Sequence, residues 1–171
     1  MSARRFLIPL ALALCIAPSC REGAPTAPDR RVPTLQASSV YSSSSGLLQC
    51  SPLAYDSVTA VIGPGGGNIR VSKHVLSIPG GALTQSVSIT VIAPSDTMNR
   101  IQFQPEGLTF KKPLQLTMSY ANCNINPSAA LRIAYLDASG AIVEYVPSTD
   151  DLIGKKVTGW IAHFSDYAVA F

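Results

Sequence analysis

From about residue 54 to Phe171, apolar residues recur at alternate positions in short runs, and the three-to-four spacing of a helix is absent. Residues 114–120 are typical: Leu114, Leu116 and Met118 alternate with Gln115, Thr117 and Ser119, which gives one buried and one wet face. The same reading marks strands at 55–62, 68–71, 75–78, 87–93, 100–104, 131–137, 141–146, 156–163 and 167–171. So many short strands within about 120 residues predict a single all-β domain, an antiparallel β-sandwich. The breaks carry turn chemistry. Residues 63–67, Gly-Pro-Gly-Gly-Gly, supply positive-φ positions around a fixed Pro, and residues 79–83 predict the end of a strand followed by one tight, helix-like turn. The glycine run is no phosphate cradle, because it lacks a following Lys-Ser/Thr pair and a helix N-terminus.

The first nineteen residues read as an export signal of bacterial type. Arg4 and Arg5 precede an apolar run, 6–17, that ends in small residues before Cys20. As a helix that run would cover about 18 Å, short of the roughly 30 Å hydrocarbon core of a bilayer. Two processing routes cut between Ser19 and Cys20. In one, residues 16–20 (Ile-Ala-Pro-Ser-Cys) act as a lipobox and Cys20 takes a diacylglycerol; in the other, Ala17 and Ser19 are ordinary signal-peptidase residues. Residues 20–49 are rich in Ser, Pro and Ala and poor in aromatics, a composition that reads as a flexible tether ahead of a domain spanning 50–171.

Loss of the signal removes two of 13 basic residues and none of the 10 acidic ones, taking the formal charge from +3 to +1. Lys111-Lys112 and Lys155-Lys156 are isolated pairs that read as solvated strand ends, so no nucleic-acid partner is expected. With Cys15 in the signal and Cys20 at the acylation site, Cys50 and Cys123 are left as one pair in an oxidising compartment, which predicts a disulfide. Closing a loop of that length stabilises a fold by roughly 4 kcal/mol in the chain-entropy picture. The cysteine spacing fits no zinc motif, and only His74 and His163 could assist, so neither a metal nor a cofactor is expected.

Three phrases stand in order: IPGGAL at 78–83, FQPEGLTFKKPLQLTMSY at 103–120 and HFSDYAVAF at 163–171, preceded by the glycine run with Ile69 and Val71. Together they resemble the ZU-five module of zona-occludens scaffolds, ankyrins and Unc-type netrin receptors. The resemblance spans roughly 55–171 and implies a β-sandwich used for interaction and assembly. Many eukaryotic members carry further domains after the module, which this sequence does not show, so their cytoskeletal partners are not carried over. Some members cleave themselves between Phe and Ser of a His-Phe-Ser sequence, here His163-Phe164-Ser165. On a continuing strand His163 and Ser165 would share a face, so the imidazole could serve as base to a hydroxyl attacking the Phe164 carbonyl. Against this stands a purely structural reading, in which His163 and Ser165 hydrogen-bond near the end of a terminal strand while Phe164 packs in the core.

Other residues carry less. Glu144, Asp150 and Asp151 have no identifiable partner for acid-base work, and Asp96 reads as serving the turn 94–99. Trp160, Tyr135, Tyr145 and Tyr167 would make a sugar-binding platform if they shared an exposed face. The expectation is a non-enzymatic interaction module, exported to the bacterial cell envelope and lipid-anchored there or else periplasmic or secreted. Its partner would be a protein or an envelope component. Self-cleavage and glycan binding are the alternatives.

Overall fold

Two antiparallel sheets account for the regular structure in residues 46–125 and 130–171, which are those that the computed structural model describes. In chain order the strands are β1 (Asp56–Ile62), β2 (Gly67–Val71), β3 (His74–Ile78), β4 (Val87–Ala93), β5 (Arg100–Gln104) and β6 (Thr109–Ser119). They continue as β7 (Arg132–Leu136), β8 (Ile142–Tyr145), β9 (Ser148–Asp151), β10 (Lys156–His163) and β11 (Asp166–Ala170). One sheet has the order β1-β4-β5-β11-β7-β8 and the other β2-β3-β6-β10-β9. The fold is the all-β sandwich that the alternation predicts.

Alternation turns directly into layers. Leu114, Leu116 and Met118 of β6 are fully buried, as are Val157 and Ile161 of β10, and they meet Ile89, Val91, Ile101, Phe103 and Ile133 from the opposite sheet. Gly159 of β10 is a fitted position: a Cβ there would lie 3.0 Å from Val146 Cγ2 and 3.1 Å from Ile133 Cδ1. The central strand β11 is covered on both faces. Tyr167 and Val169 join the inter-sheet core, while Ala168 and Ala170 join a second cluster with Leu47, Ala134 and Leu136. Full cover explains why β11 reads as an unbroken apolar run in the sequence.

Three local differences from the sequence pattern have physical causes. β6 begins at Thr109, five residues before the alternating run. Pro113 lacks an N–H, and the strand absorbs it where the β6–β10 register shifts between Ile161 and His163. β9 (Ser-Thr-Asp-Asp) has no apolar alternation and is recruited by its ladder to β10. Residues 79–83 form a hydrogen-bonded turn, Ala82 N–H to Pro79 O at 3.1 Å with Gly81 at φ 80°, and no helix follows.

The fold also starts before residue 50. Gly46 to Gln49 fall to the tether by composition, yet Leu47 and Leu48 are 1% and 2% exposed and bridges join Leu47 to Ala170 and Gln49 to Met98. The Cys50–Cys123 disulfide forms, with a sequence separation of 73 residues, and pins this entering segment to the loop after β6.

Gly66 is the turn residue that the fold can least replace. It sits at φ 78°, and a Cβ would run into the Ile78 carbonyl oxygen. Gly66→Ala is expected to destabilise the fold by about 2 kcal/mol or more, read as a lower urea midpoint at unchanged slope.

Candidate functional site

The His163-Phe164-Ser165 sequence lies where the chain changes sheets. β10 ends at His163 and β11 opens at Asp166, so Phe164 and Ser165 form the whole crossing. The strand that would have set His163 and Ser165 on one face therefore does not continue through them. His163 Nδ1 faces the Phe164 carbonyl oxygen at 3.5 Å, and among the described residues no hydrogen bond links the imidazole to the Ser165 hydroxyl. Phe164 stacks on Phe103 with ring centroids 4.7 Å apart and meets Phe110 edge-on at 4.8 Å. Both its backbone groups are occupied: its N–H donates to Leu108 O at 2.8 Å, and its carbonyl accepts from Gly107 N–H at 2.9 Å. The His163 ring packs edge-on to Tyr135 at 5.1 Å, and Tyr167 Oη donates to His163 O at 2.9 Å. Burial pushes the Tyr167 phenol above its ordinary range, so it acts as a donor and not as a base.

A second constellation surrounds the disulfide. Cys50, His74, Asp96, Asn99, Arg100 and Asn122 line a cavity of about 30 Å3. That is room for a water molecule or two and for no organic substrate. Asn99 is its hub. The side-chain Nδ2 donates to Ser119 O at 3.0 Å and lies 3.5 Å from Cys123 Sγ and 3.6 Å from Cys50 Sγ. Asn99 Oδ1 and Asn122 Oδ1 are buried without a hydrogen-bond partner among the described residues, so ordered water in the cavity would complete them.

His74, at the start of β3, is 5% exposed, and its Nδ1 accepts the Ser119 N–H at 3.3 Å. The proton of the neutral ring therefore sits on Nε2. Burial, with Lys73 beside it, lowers its pKa from 6.5 to about 4. No glycine marks the β2–β3 turn in front of it. Ser72 takes φ 49° there, and its N–H donates to Asp56 Oδ2 at 2.6 Å, a long-range contact that the local sequence does not signal.

The remaining residues singled out from the sequence are dispersed. Asp150 does have partners: Tyr120 Oη donates to its Oδ1 at 2.7 Å and Leu131 N–H to its Oδ2 at 3.1 Å, which ties β9 to the ends of β6 and β7. Desolvation and this bond hold the Tyr120 phenol above its usual range. Asp151 Oδ1 accepts Gly154 N–H at 2.9 Å, and Glu144 is exposed. Asp96 serves its turn through Met98 N–H at 2.9 Å and also pairs with Arg100 at 2.8 Å. Lys112 is more than a solvated strand end, since its Nζ donates to Gly80 O at 2.8 Å. The four aromatics do not share a face. Tyr167 is buried, Tyr135 is half-buried beside it, Tyr145 lies under the Arg132 guanidinium at 3.8 Å, and Trp160 is exposed on the other sheet.

Cys20 and residues 1–45, with the signal, lipobox and tether readings, lie outside the described residues. Among the described residues no helix is long and apolar enough to cross a membrane, and no three His, Cys, Asp or Glu side chains converge as a ligand set. No model of a known protein family matches the chain, and no curated protein matches it at a significant level.

The buried imidazole makes stability depend on pH. An unfolded chain takes up the His74 proton below about pH 6.5, whereas the folded chain resists it until about pH 4. Stability therefore falls as pH drops through that window and levels off below it, a loss of roughly 3 kcal/mol. Urea unfolding of the wild type and of His74→Gln at pH 7 and pH 4 checks this. The wild type is expected to lose more than the variant by about that amount, and equal losses would refute it.

Proposed function

We propose that the chain is exported and that its β-sandwich is a non-enzymatic binding and assembly module of the bacterial cell envelope, anchored by lipid on Cys20. The observation that carries the reading is the Cys50–Cys123 disulfide, built into the point where the chain enters the fold. Structural disulfides belong to oxidising compartments, which agrees with the charged and apolar leader at 1–19. The small cavity supports docking on a surface over turnover of a bound substrate. The resemblance to the ZU-five module supports the same class of activity, with a protein or envelope component as partner.

A second reading, glycan binding, is favoured by Trp160. It stands 44% exposed on the outer face of the five-stranded sheet, in register with Gln115, which pairs with Ser77, which pairs with Asn68. An indole beside a row of neutral hydrogen-bonding side chains is suited to stacking on a sugar ring. Self-cleavage finds one favourable contact, the Gly107 N–H on the Phe164 carbonyl. It lacks the His163–Ser165 hydrogen bond that would activate the hydroxyl.

The unreduced intact mass of the protein extracted in detergent from a bacterial envelope tests the proposal. The expected mass fits an acylated Cys20, one disulfide and an unbroken chain through Phe171, and Ser165→Ala is expected to differ from it only by the lost oxygen. A wild-type chain ending at Phe164 would overturn the non-enzymatic reading, and an unmodified Cys20 would overturn the anchor.

A further inference from the structure

The segment 46–50 is a short bridged stretch that belongs to no hairpin. It lies between the end of β11 and residues 97–99 and bonds to both. Leu48 N–H donates to Val169 O at 2.8 Å, and Leu48 O accepts Asn99 N–H at 3.1 Å. Phe171 N–H donates to Gly46 O at 2.9 Å, and Cys50 N–H donates to Thr97 O at 2.7 Å. The two leucines point to opposite faces, Leu48 into the inter-sheet core and Leu47 into the outer cluster. The segment is a plug. Without it, the end of β11 and residues 97–99 would present unpaired backbone groups around an apolar slot, a template for another strand.

What keeps the plug in its own molecule is limited. Residues 51–55 join it to β1, form no strand and are exposed apart from the half-buried Leu53. Five residues reach about 17 Å when extended. They are held by a pair of bonds between Ser51 and Asn122, at 3.1 and 2.7 Å, and by the adjacent disulfide.

We propose that the slot is a strand-acceptor site whose alternative occupant is the segment 46–50 of a second copy of this chain. Two chains exchange the segment reciprocally, and Cys50 of each then bonds Cys123 of the other. Every contact inside the slot is reproduced with the same residues, so closed and exchanged forms differ in hinge conformation and in protein concentration. The cross-link locks whichever arrangement is present when it closes. The Cys50 thiolate attacks a small-molecule disulfide and releases one thiol; the Cys123 thiolate then attacks the Cys50 sulfur and releases the second. Two protein thiols lose two electrons and two protons, and the small disulfide becomes two thiols. The proposal names a partner for the assembly reading above and rests on that reading only for its setting, since anchoring on a membrane would concentrate the copies.

The full chain, prepared in heavy-nitrogen and ordinary forms and mixed equally, tests it. The mixture is reduced with dithiothreitol without denaturant and reoxidised with oxidised glutathione at low and high protein concentration. Peptides linked through Cys50 and Cys123 are then weighed. Exchange predicts hybrid heavy-light Cys50–Cys123 pairs that rise with concentration toward about half of the total and migrate with a species of twice the chain mass. Pairs of uniform isotope at every concentration would overturn the proposal. So would hybrids accompanied by equal amounts of Cys50–Cys50 and Cys123–Cys123 pairs, which mark random oxidation of unfolded chains. Neither result bears on acylation of Cys20 or on chain integrity, so failure here leaves the anchored-module reading standing and separately testable.

Discussion

A chain that leaves one sheet at His163 and enters the other at Asp166 has two residues in which to cross the sandwich, and much of the packing follows from that limit. Phe164 has no route around the core and must fill it. It does so as the meeting point of three rings, stacked on Phe103 of β5 and edge-on to Phe110 of β6. Its backbone bonds to Leu108 and Gly107 fix the loop between those same two strands. One residue thus couples the ends of β5, β6, β10 and β11, the central strands of both sheets. A serine and a histidine flanking such a residue are held by packing first, and any chemistry they carry out is subordinate to it.

A polar node does comparable work at the other end of β11. Asn99 bonds through its main chain to Leu48 and Val169 and through its side chain to Ser119, with the disulfide sulfurs beside it. Burying an amide without partners costs more than most single contacts return, so this arrangement is stable only while each neighbour stays in place. His74 belongs to the same region through Ser119, and its burial, with Lys73 beside it, keeps the ring neutral on the inner face of β3. The cavity left among these groups fits water and not a ligand.

Most of the strands were legible because their cause is local. β4, β5 and β10 each alternate within a single run, and Ser86, Pro94 and Pro105 interrupt the run at both ends of β4 and at the end of β5. β9 was not legible, since Ser-Thr-Asp-Asp owes its conformation to β10 and to the Tyr120–Asp150 bond. The plug was hidden for a different reason. Leu47 and Leu48 are two apolar residues at the end of a serine run, and only three-dimensional neighbours such as Ala170 and Val169 show what they fill. The disulfide was accessible to counting. Its proximity to Asn99 and His74 was not, because those residues are joined by register between distant strands.

The position of the cross-link governs how the domain bears load. The entering segment runs antiparallel to β11 and bonds to its last residues, so tension on the preceding chain would peel Gly46, Leu47 and Leu48 away one hydrogen bond at a time. Peeling stops at Cys50, where force passes through sulfur to Cys123 and bypasses the 73-residue span between them. Six of the eleven strands, β1 to β6, lie inside that span, mechanically shielded whatever pulls on the chain ahead of them.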